Sequence, residues 1–124
     1  MRYRLLLIAL VLPMMVRPVE AGIGLFGRKK DAADPKARVP ELISSLKSDR
    51  DADARARAAE ELRNYDPTAH PEIIAALSEA LLTDSKPNVR TEAAASLGKI
   101  RPVSQNAGEA LEAALANDSS MRVR

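Results

Sequence analysis

Apolar residues recur at intervals of three and four along the chain after residue 34, which is the spacing of one face of an α-helix. Short segments rich in Pro, Asp and Ser interrupt this pattern. The pattern predicts a series of helices of about 12 residues each, and no β-strands. The predicted inward positions are, helix by helix, Val39, Leu42, Ile43 and Leu46; Ala54, Ala58, Ala59, Leu62 and Tyr65; Ile73, Ile74, Leu77 and Leu81; Val89, Ala93, Ala94, Leu97 and Ile100; and Ala107, Leu111, Ala114 and Leu115.

The residues between these stripes predict where each helix begins and ends. Asp34 can cap the first helix, with Pro35 at its first position, and that helix should end near Ser48. The other predicted boundaries are a cap at Asp51 or Asp53, a stop near Asp66 before Pro67, a start at His70 and Pro71, a cap at Ser85 before Pro87, a stop at Pro102, and a capping box of Asn106 and Glu109.

The chain also repeats itself. An Asp recurs at intervals of 35 and 34 residues, and an Arg follows each Asp six positions later. A period of this length indicates a solenoid, in which each helical hairpin buries its apolar face against the next. The three pairs are Asp49 and Arg55, Asp84 and Arg90, and Asp118 and Arg124.

This spacing has a physical use. The carboxylate can accept hydrogen bonds from backbone N–H groups at the start of the second helix of a hairpin, where negative charge is favourable. An Arg one turn into that helix can reach the Asp of its own or the neighbouring repeat. The alternative is that the Arg side chains point into solvent. We expect a structural ladder formed by Asp49, Arg55, Asp84, Arg90, Asp118 and Arg124.

The turn Asp, the Arg and the segment Ala-Ala-Ala-Ser-Leu-Gly-Lys-Ile at 93–100 resemble the HEAT-repeat family, in particular the short bacterial HEAT-like repeats also found in phycobilisome lyases. The segment at 58–65 is similar, but it has Arg63 where the other has Gly98, a position associated with close approach of helices. The resemblance implies an all-α fold, an α-solenoid of antiparallel helical hairpins. It implies about two and a half repeats over 35–124, divided as 35–66, 67–101 and an incomplete 102–124.

Tetratricopeptide repeats have a similar period, but they rely on aromatic residues. Tyr65 is the only aromatic residue after residue 34, and the whole chain is only 2% aromatic. Ala, Leu and Ile must therefore fill the core, which suits thin helix-on-helix layers better than a sheet sandwich.

The first 34 residues have a different character. A basic start, an apolar run at 5–16 and the small residues Val19 and Ala21 are typical of a cleaved secretory signal. The interpretation divides this part into a signal helix at 1–21 and a flexible basic linker at 22–34. We expect export to the periplasm or secretion. If the leader is retained, 5–16 instead tether the protein to a membrane; a buried core helix is the remaining alternative.

Composition excludes several kinds of chemistry. The chain has no Cys and a single His, His70, so disulfides, thiolate nucleophiles and ordinary transition-metal sites are not expected. We predict no catalytic, cofactor-binding or metal-binding residues. The formal net charge is +2, and without residues 1–21 acidic and basic residues balance, so a nucleic-acid partner is not expected either.

The protein surface is the remaining candidate for a functional site. In HEAT arrays the second helices line the concave side, so the resemblance implies that their outward residues contact a partner. We predict a non-catalytic protein–protein interaction or scaffold module with another protein as its partner. The alternatives are an enzyme-associated protein of the bilin-lyase or chaperone type, and a membrane-tethered adaptor. The candidate partner-binding residues are Arg57, Glu60, Glu61, Asn64, Glu92, Ser96 and Lys99.

The end of the array is predicted to be open. Leu111 and Leu115 should face a sixth helix, of which 119–124 form only the first turn. An uncovered apolar edge is either a liability or an interface. Three interpretations stay open: the chain is a fragment, it self-associates through this end, or the tail is frayed.

Overall fold

The computed structural model describes residues 33–124. The predicted signal helix, the membrane tether and all but the last two residues of the linker lie outside the described residues. Asp34–Arg124 form one compact unit. Within it the elements are helices and turns, without strands, so the predicted all-α class is confirmed. The helices are α1 (Pro35–Ser48), α2 (Ala52–Leu62), α3 (Glu72–Thr83), α4 (Pro87–Lys99) and α5 (Gln105–Asn117).

The first two helices begin at Asp caps, as expected. Asp34 accepts a hydrogen bond from the backbone N–H of Lys36 at 3.0 Å, and Pro35 occupies the first helical position. Asp51, not Asp53, caps α2, because its carboxylate accepts from the backbone N–H of Asp53 at 3.0 Å. Both caps satisfy N–H groups that have no partner within the helix.

Two predicted caps are wrong. At α4 the carboxylate of Asp84, rather than Ser85, accepts from the backbone N–H that precedes the helix, that of Lys86, at 2.9 Å. At α5 the cap is Ser104, whose hydroxyl accepts from Ala107 N at 3.1 Å. Ser104 has φ −93° and ψ 152°, the extended backbone that a capping residue needs, whereas Asn106 already lies inside the helix.

The α2–α3 connection also differs from the prediction. α2 ends at Leu62, well before Asp66. The carboxylate of Asp66 accepts from Thr68 N at 2.8 Å and from the Thr68 hydroxyl at 2.6 Å, which forms a separate turn after the helix. His70 does not cap α3; its Nδ1 lies 3.3 Å from Oε1 of Glu72.

The five helices form two layers. α1 and α2 are joined by a turn of three residues, 49–51, and α3 and α4 by another at 84–86, so each pair folds back as an antiparallel hairpin. α1 packs on α3 and α3 on α5 in one layer, while α2 packs on α4 in the other. Neighbours in sequence are therefore neighbours in space, which is the arrangement of a solenoid.

The predicted apolar stripes form most of the core. The α3 stripe is buried along its whole length, and the α1 stripe except for the partly buried Ile43. Ala54, Tyr65, Ala94 and Leu111 are also only partly buried. Leu115 is 62% exposed, which differs from its predicted inward position in α5 but agrees with the predicted uncovered apolar edge. The remaining buried apolar residues are Ala58, Ala59, Leu62, Ala76, Ala80, Val89, Ala93, Leu97, Ile100, Ala107, Ala110 and Ala114.

Gly98 does not mark a close approach of helices. A Cβ built on it would meet nothing within 4 Å apart from its own helix, and the residue is exposed. Arg63, at the corresponding place directly after α2, forms an ion pair with Glu60 at 3.0 Å. The packing around Gly98 therefore leaves room for a side chain. None of the described helices has the length and apolar character to cross a membrane.

Candidate functional site

Arg55 connects the first hairpin to the second. Its Nε donates to Oδ2 of Asp84 at 2.9 Å and its Nη2 donates to Oδ1 of the same carboxylate at 3.1 Å. Its Nη1 donates to the backbone carbonyl of Asp49 at 2.8 Å. The side chains of Arg55 and Asp84 are largely buried. One guanidinium thus joins the turn of its own hairpin to the turn of the next through a two-pronged pair and a carbonyl bond.

Arg90 repeats this geometry one hairpin later. Its Nε and Nη2 donate to the carboxylate of Asp118 at 2.9 and 3.1 Å, and its Nη1 donates to the carbonyl of Asp84 at 2.9 Å. The structure therefore selects between the two expected connections: each Arg takes the carboxylate of the following repeat and only the backbone oxygen of its own. We call these two pairs, Arg55–Asp84 and Arg90–Asp118, the rungs.

Each rung carboxylate also organises its own turn. Asp84 accepts from Lys86 N at 2.9 Å, and Asp118 accepts from Ser120 N at 2.8 Å. Asp49 makes the same local bond with Asp51 N at 2.9 Å. This hydrogen bond joins each Asp to the backbone N–H two residues later. It needs no neighbouring repeat, and it is present in all three copies.

Burial alone would raise the pKa of Asp84, but the hydrogen bond from Arg55 and the nearby positive charges outweigh burial and hold that pKa below its ordinary value. The hydrogen bond from Arg90 likewise lowers the pKa of Asp118. The hydrogen bond to Asp84 raises the pKa of Arg55. All these groups are therefore charged at neutral pH.

The outer members of the predicted ladder have no such partners. Among the described residues, no Arg lies within ion-pair distance of Asp49, whose second carboxylate oxygen is 3.5 Å from the Ser45 hydroxyl. Arg124 is exposed, and its backbone N–H donates to Ser120 O at 3.1 Å, within a helical turn. The structure thus joins four of the six predicted residues into two rungs and leaves Asp49 and Arg124 outside them.

Two residues predicted for the partner-binding face are not on a free surface. Ser96 is completely buried, and its hydroxyl donates to the carbonyl oxygen of Ala59 at 2.7 Å, which ties α4 to α2. Glu61 accepts from Arg38 Nε at 2.9 Å and from Arg38 Nη2 at 3.0 Å. The prediction is wrong for these two residues because it places them on the outward face of α2 and α4, whereas their side chains point towards a neighbouring helix.

The rest of the predicted face is at the surface. Arg57, Glu60, Asn64 and Lys99 are exposed, and Glu92 is half-buried. Arg57 lies 3.7 Å from the Asp51 carboxylate, a pair of exposed groups that contributes little to stability. We call Arg57, Glu60, Glu92 and Lys99, which lie on α2 and α4, together with Asn64, which follows α2, the α2–α4 face.

Three cross-helix contacts were not anticipated. Asn88 Nδ2 donates to Asp53 Oδ1 at 3.1 Å, between residues that occupy the same repeat position 35 residues apart. Lys47 pairs with Glu79 at 3.0 Å between α1 and α3. Arg38 pairs with Glu61 between α1 and α2, and with Glu41 within α1. An alignment of the repeats indicates the contact between Asn88 and Asp53, because both residues are polar and occupy equivalent positions.

Within 33–124 there is no group of three His, Cys, Asp or Glu side chains placed to hold a metal ion.

The ion pairs and hydrogen bonds described above connect stacked helices to each other. The fold and its rungs define an α-solenoid repeat protein. A family model described as HEAT repeats matches residues 39–124, and the chain belongs to the HEAT-repeat family. Searches of curated proteins and of solved structures gave no significant match.

Proposed function

We propose that this chain is an exported, non-catalytic scaffold module that binds another protein through the α2–α4 face. HEAT repeats generally mediate protein–protein interaction, which supports a protein partner. The identity of the face and the export belong to the proposal.

The observation that carries the proposal is how firmly α2 and α4 are held together beneath that face. The buried hydroxyl of Ser96 reaches the backbone of α2, and Asn88 reaches Asp53 at the helix starts. The rungs hold the turns that precede each second helix. Exposed charges on a framework held in this way have fixed spacing, and a partner with complementary charges loses less conformational entropy on binding.

The non-catalytic part of the proposal rests on composition. A nucleophile or a general acid–base pair needs a site that shifts its pKa. The chain has no Cys and one His, and His70 lies beside Glu72 at the start of α3. The carboxylates whose pKa is lowered by Arg in the structure are committed to the rungs.

The binding proposal is tested by charge reversal on the face. The double variant Arg57→Glu with Lys99→Glu should lose proteins that the unchanged chain retains from an envelope extract. Lys36→Glu, an exposed charge reversal at the start of α1, is the matched control and should retain them. If the double variant and the control retain the same proteins, another surface is responsible.

Export is tested by N-terminal sequencing of the chain recovered outside the cytoplasm. A start at Gly22 supports a cleaved signal, whereas an intact leader in the membrane fraction supports the tether through 5–16. Self-association through the α5 end is a separate alternative, and sedimentation over a range of concentrations tests it.

A further inference from the structure

An apolar groove lies at the edge of the stack opposite the rungs, where the loop before α3 meets the loop before α5. Its volume is about 250 Å³. Val103 in its wall is aliphatic and yet 62% exposed. The lining residues all fall within 67–106, so elements that the structure describes form the groove. They include Pro67, Pro71, Ile74, Pro102, Val103 and Asn106.

The walls of the groove favour an apolar occupant. Its three Pro residues have no backbone N–H to donate. The Thr68 hydroxyl in the wall already donates to the Asp66 carboxylate at 2.6 Å. The Ser104 hydroxyl, also in the wall, already accepts from Ala107 N at 3.1 Å. A polar group placed here would leave water without equivalent hydrogen bonds, whereas an aliphatic side chain would be stabilised by the burial of its surface.

The size of the groove indicates a single side chain of a larger partner. Small-molecule sites typically measure about 300 to 1,000 Å³ and enclose most of the ligand surface. This groove is smaller, at about 250 Å³. Protein interfaces are typically anchored by an aromatic or aliphatic side chain that fills a pocket of the other protein. The groove is suited to such an anchor.

Carboxylates lie next to the groove on the side of α3 and α5. These two helices carry four Glu and no Lys or Arg. Glu72 follows Pro71 directly, and Glu109 lies one helical turn after Asn106, so both adjoin lining residues. Asp66 adds a third carboxylate, and a hydrogen bond from a hydroxyl in its own turn lowers its pKa. All three residues are exposed, so the rim on this side is negatively charged at neutral pH.

The cations near the groove are held by the other helix layer. Arg101 donates through Nη1 to two carbonyl oxygens at the end of α4, at 2.9 and 2.8 Å. Arg63 pairs with Glu60 of α2 at 3.0 Å. Within 66–72 and 102–109 the only basic side chain is His70, which lies 3.3 Å from Glu72. Negative charge therefore predominates at the rim. A segment with Lys or Arg complements it, whereas nucleic acid or an anionic membrane would be repelled.

We propose that this groove binds an apolar side chain of a partner protein, in a segment where Lys or Arg residues flank that side chain. The apolar side chain packs against Ile74 and Val103 in the groove. The basic residues on either side of it pair with Asp66, Glu72 and Glu109 at the rim.

The groove adjoins the loop end of the α2–α4 face. Asn64 precedes Pro67 by three residues, and Lys99 precedes Pro102 by three residues. A partner bound on that face can therefore continue into the groove. The inference rests on the proposed function, and it adds a second contact, of stated chemistry, for the same partner.

The probe is the peptide Lys-Arg-Ala-Leu-Ala-Arg-Lys, and isothermal titration calorimetry measures its binding to the full chain. The peptide should bind, and its binding should weaken as salt is added. A peptide with Ser in place of Leu should bind about tenfold more weakly, because the apolar anchor is lost. A peptide with Glu in place of each Lys and Arg should show no binding, because its charge matches that of the rim.

Variants of the chain locate the binding site. Val103→Ser removes exposed apolar surface from the groove and should weaken peptide binding severalfold. Met121→Ser makes a comparable change at another exposed apolar residue, and this control should bind the peptide as the unchanged chain does. Glu72→Lys with Glu109→Lys should weaken binding and reduce its salt dependence. Circular dichroism checks that each variant is helical.

Failure of the peptide to bind a helical chain would overturn the proposal, and so would equal binding by Val103→Ser and the unchanged chain. Tighter binding to a chain with Arg28→Ser, Lys29→Ser and Lys30→Ser would also overturn it, because the chain's own basic segment would then compete for the groove. Arg57→Glu on the α2–α4 face should leave peptide binding unchanged, so the two proposals can fail separately.

Discussion

The α1–α2 and α3–α4 hairpins have the same length, turn and rung residues, but they are stabilised differently. The α3–α4 hairpin is covered on both sides, by the α1–α2 hairpin and by α5, and half of the residues of α3 are buried. Among the described residues, only one side of the α1–α2 hairpin is covered, and this hairpin carries Arg38 and Glu61 where the other has Ile73 and Ser96. Burial in this protein therefore depends on a residue's place in the stack as well as its place in the repeat.

The largest expected effect comes from comparing Leu81→Ala with Leu115→Ala. Leu81 is fully buried between α3 and α5, so its truncation should lower the free energy of unfolding by about 3 kcal/mol. Leu115 at the same repeat position is exposed, and its truncation should change stability by less than about 0.5 kcal/mol. Urea unfolding measures both. Equal losses would mean that repeat position outweighs position in the stack.

Next in size is Arg90→Ala, which removes the rung between the second hairpin and the third repeat. The largely buried carboxylate of Asp118 would lose its partner, so we expect a loss of about 2 kcal/mol. Unfolding should also become less cooperative, because adjacent repeats are coupled through their interfaces. Arg90→Lys keeps the charge and should recover part of the loss. An unchanged melting curve in Arg90→Ala would contradict a stabilising rung.

Acid should weaken both rungs, by less than the removal of an Arg does. The folded-state pKa values of Asp84 and Asp118 are lowered, so the unfolded chain takes up protons first as the pH falls. The stabilisation is fully present above the ordinary Asp pKa of 3.8 and is lost as the pH falls through the lowered values. Urea midpoints between pH 6 and pH 2 measure this. The double variant Asp84→Asn with Asp118→Asn should flatten the dependence, and a slope as steep as that of the unchanged chain would exclude the rungs as its source.

A smaller difference in stability is expected between alanine variants of two serines in the second hairpin. Ser96→Ala removes the bond to the Ala59 carbonyl and should cost about 1 kcal/mol. The Ser78 hydroxyl oxygen is buried without a hydrogen-bond partner among the described residues, so Ser78→Ala should be neutral or slightly stabilising. Thermal unfolding of the two variants compares them directly. Equal losses would show that the hydroxyl bond to α2 contributes nothing.

The smallest expected effect is a gain. Gly98→Ala adds a methyl group that meets no neighbour within 4 Å, and Ala is the better helix former by about 0.5 to 1 kcal/mol. The melting temperature should rise slightly. A fall would mean that Gly98 is needed for packing, as the motif alone suggested.

The sequence was sufficient for the helices, the period and the spacing of the Asp–Arg pairs, because all three depend on residues close together in the chain. It located the caps at Asp34 and Asp51. It predicted a cap at Ser85 for α4, whose N-cap residue Lys86 makes no side-chain cap, and it placed the cap of α5 two residues late. Its candidate surface was only partly correct, since Ser96 and Glu61 face neighbouring helices.

Only the tertiary structure decided which carboxylate each Arg binds. Arg55 is closer in sequence to Asp49 than to Asp84, yet its side chain reaches the Asp84 carboxylate and only the backbone of Asp49. The stack also decided that Leu81 is buried and Leu115 exposed. Local patterns set the helices because capping and periodicity act within a few residues. Burial and pairing depend on which element lies alongside, and in a solenoid the neighbouring repeat determines that.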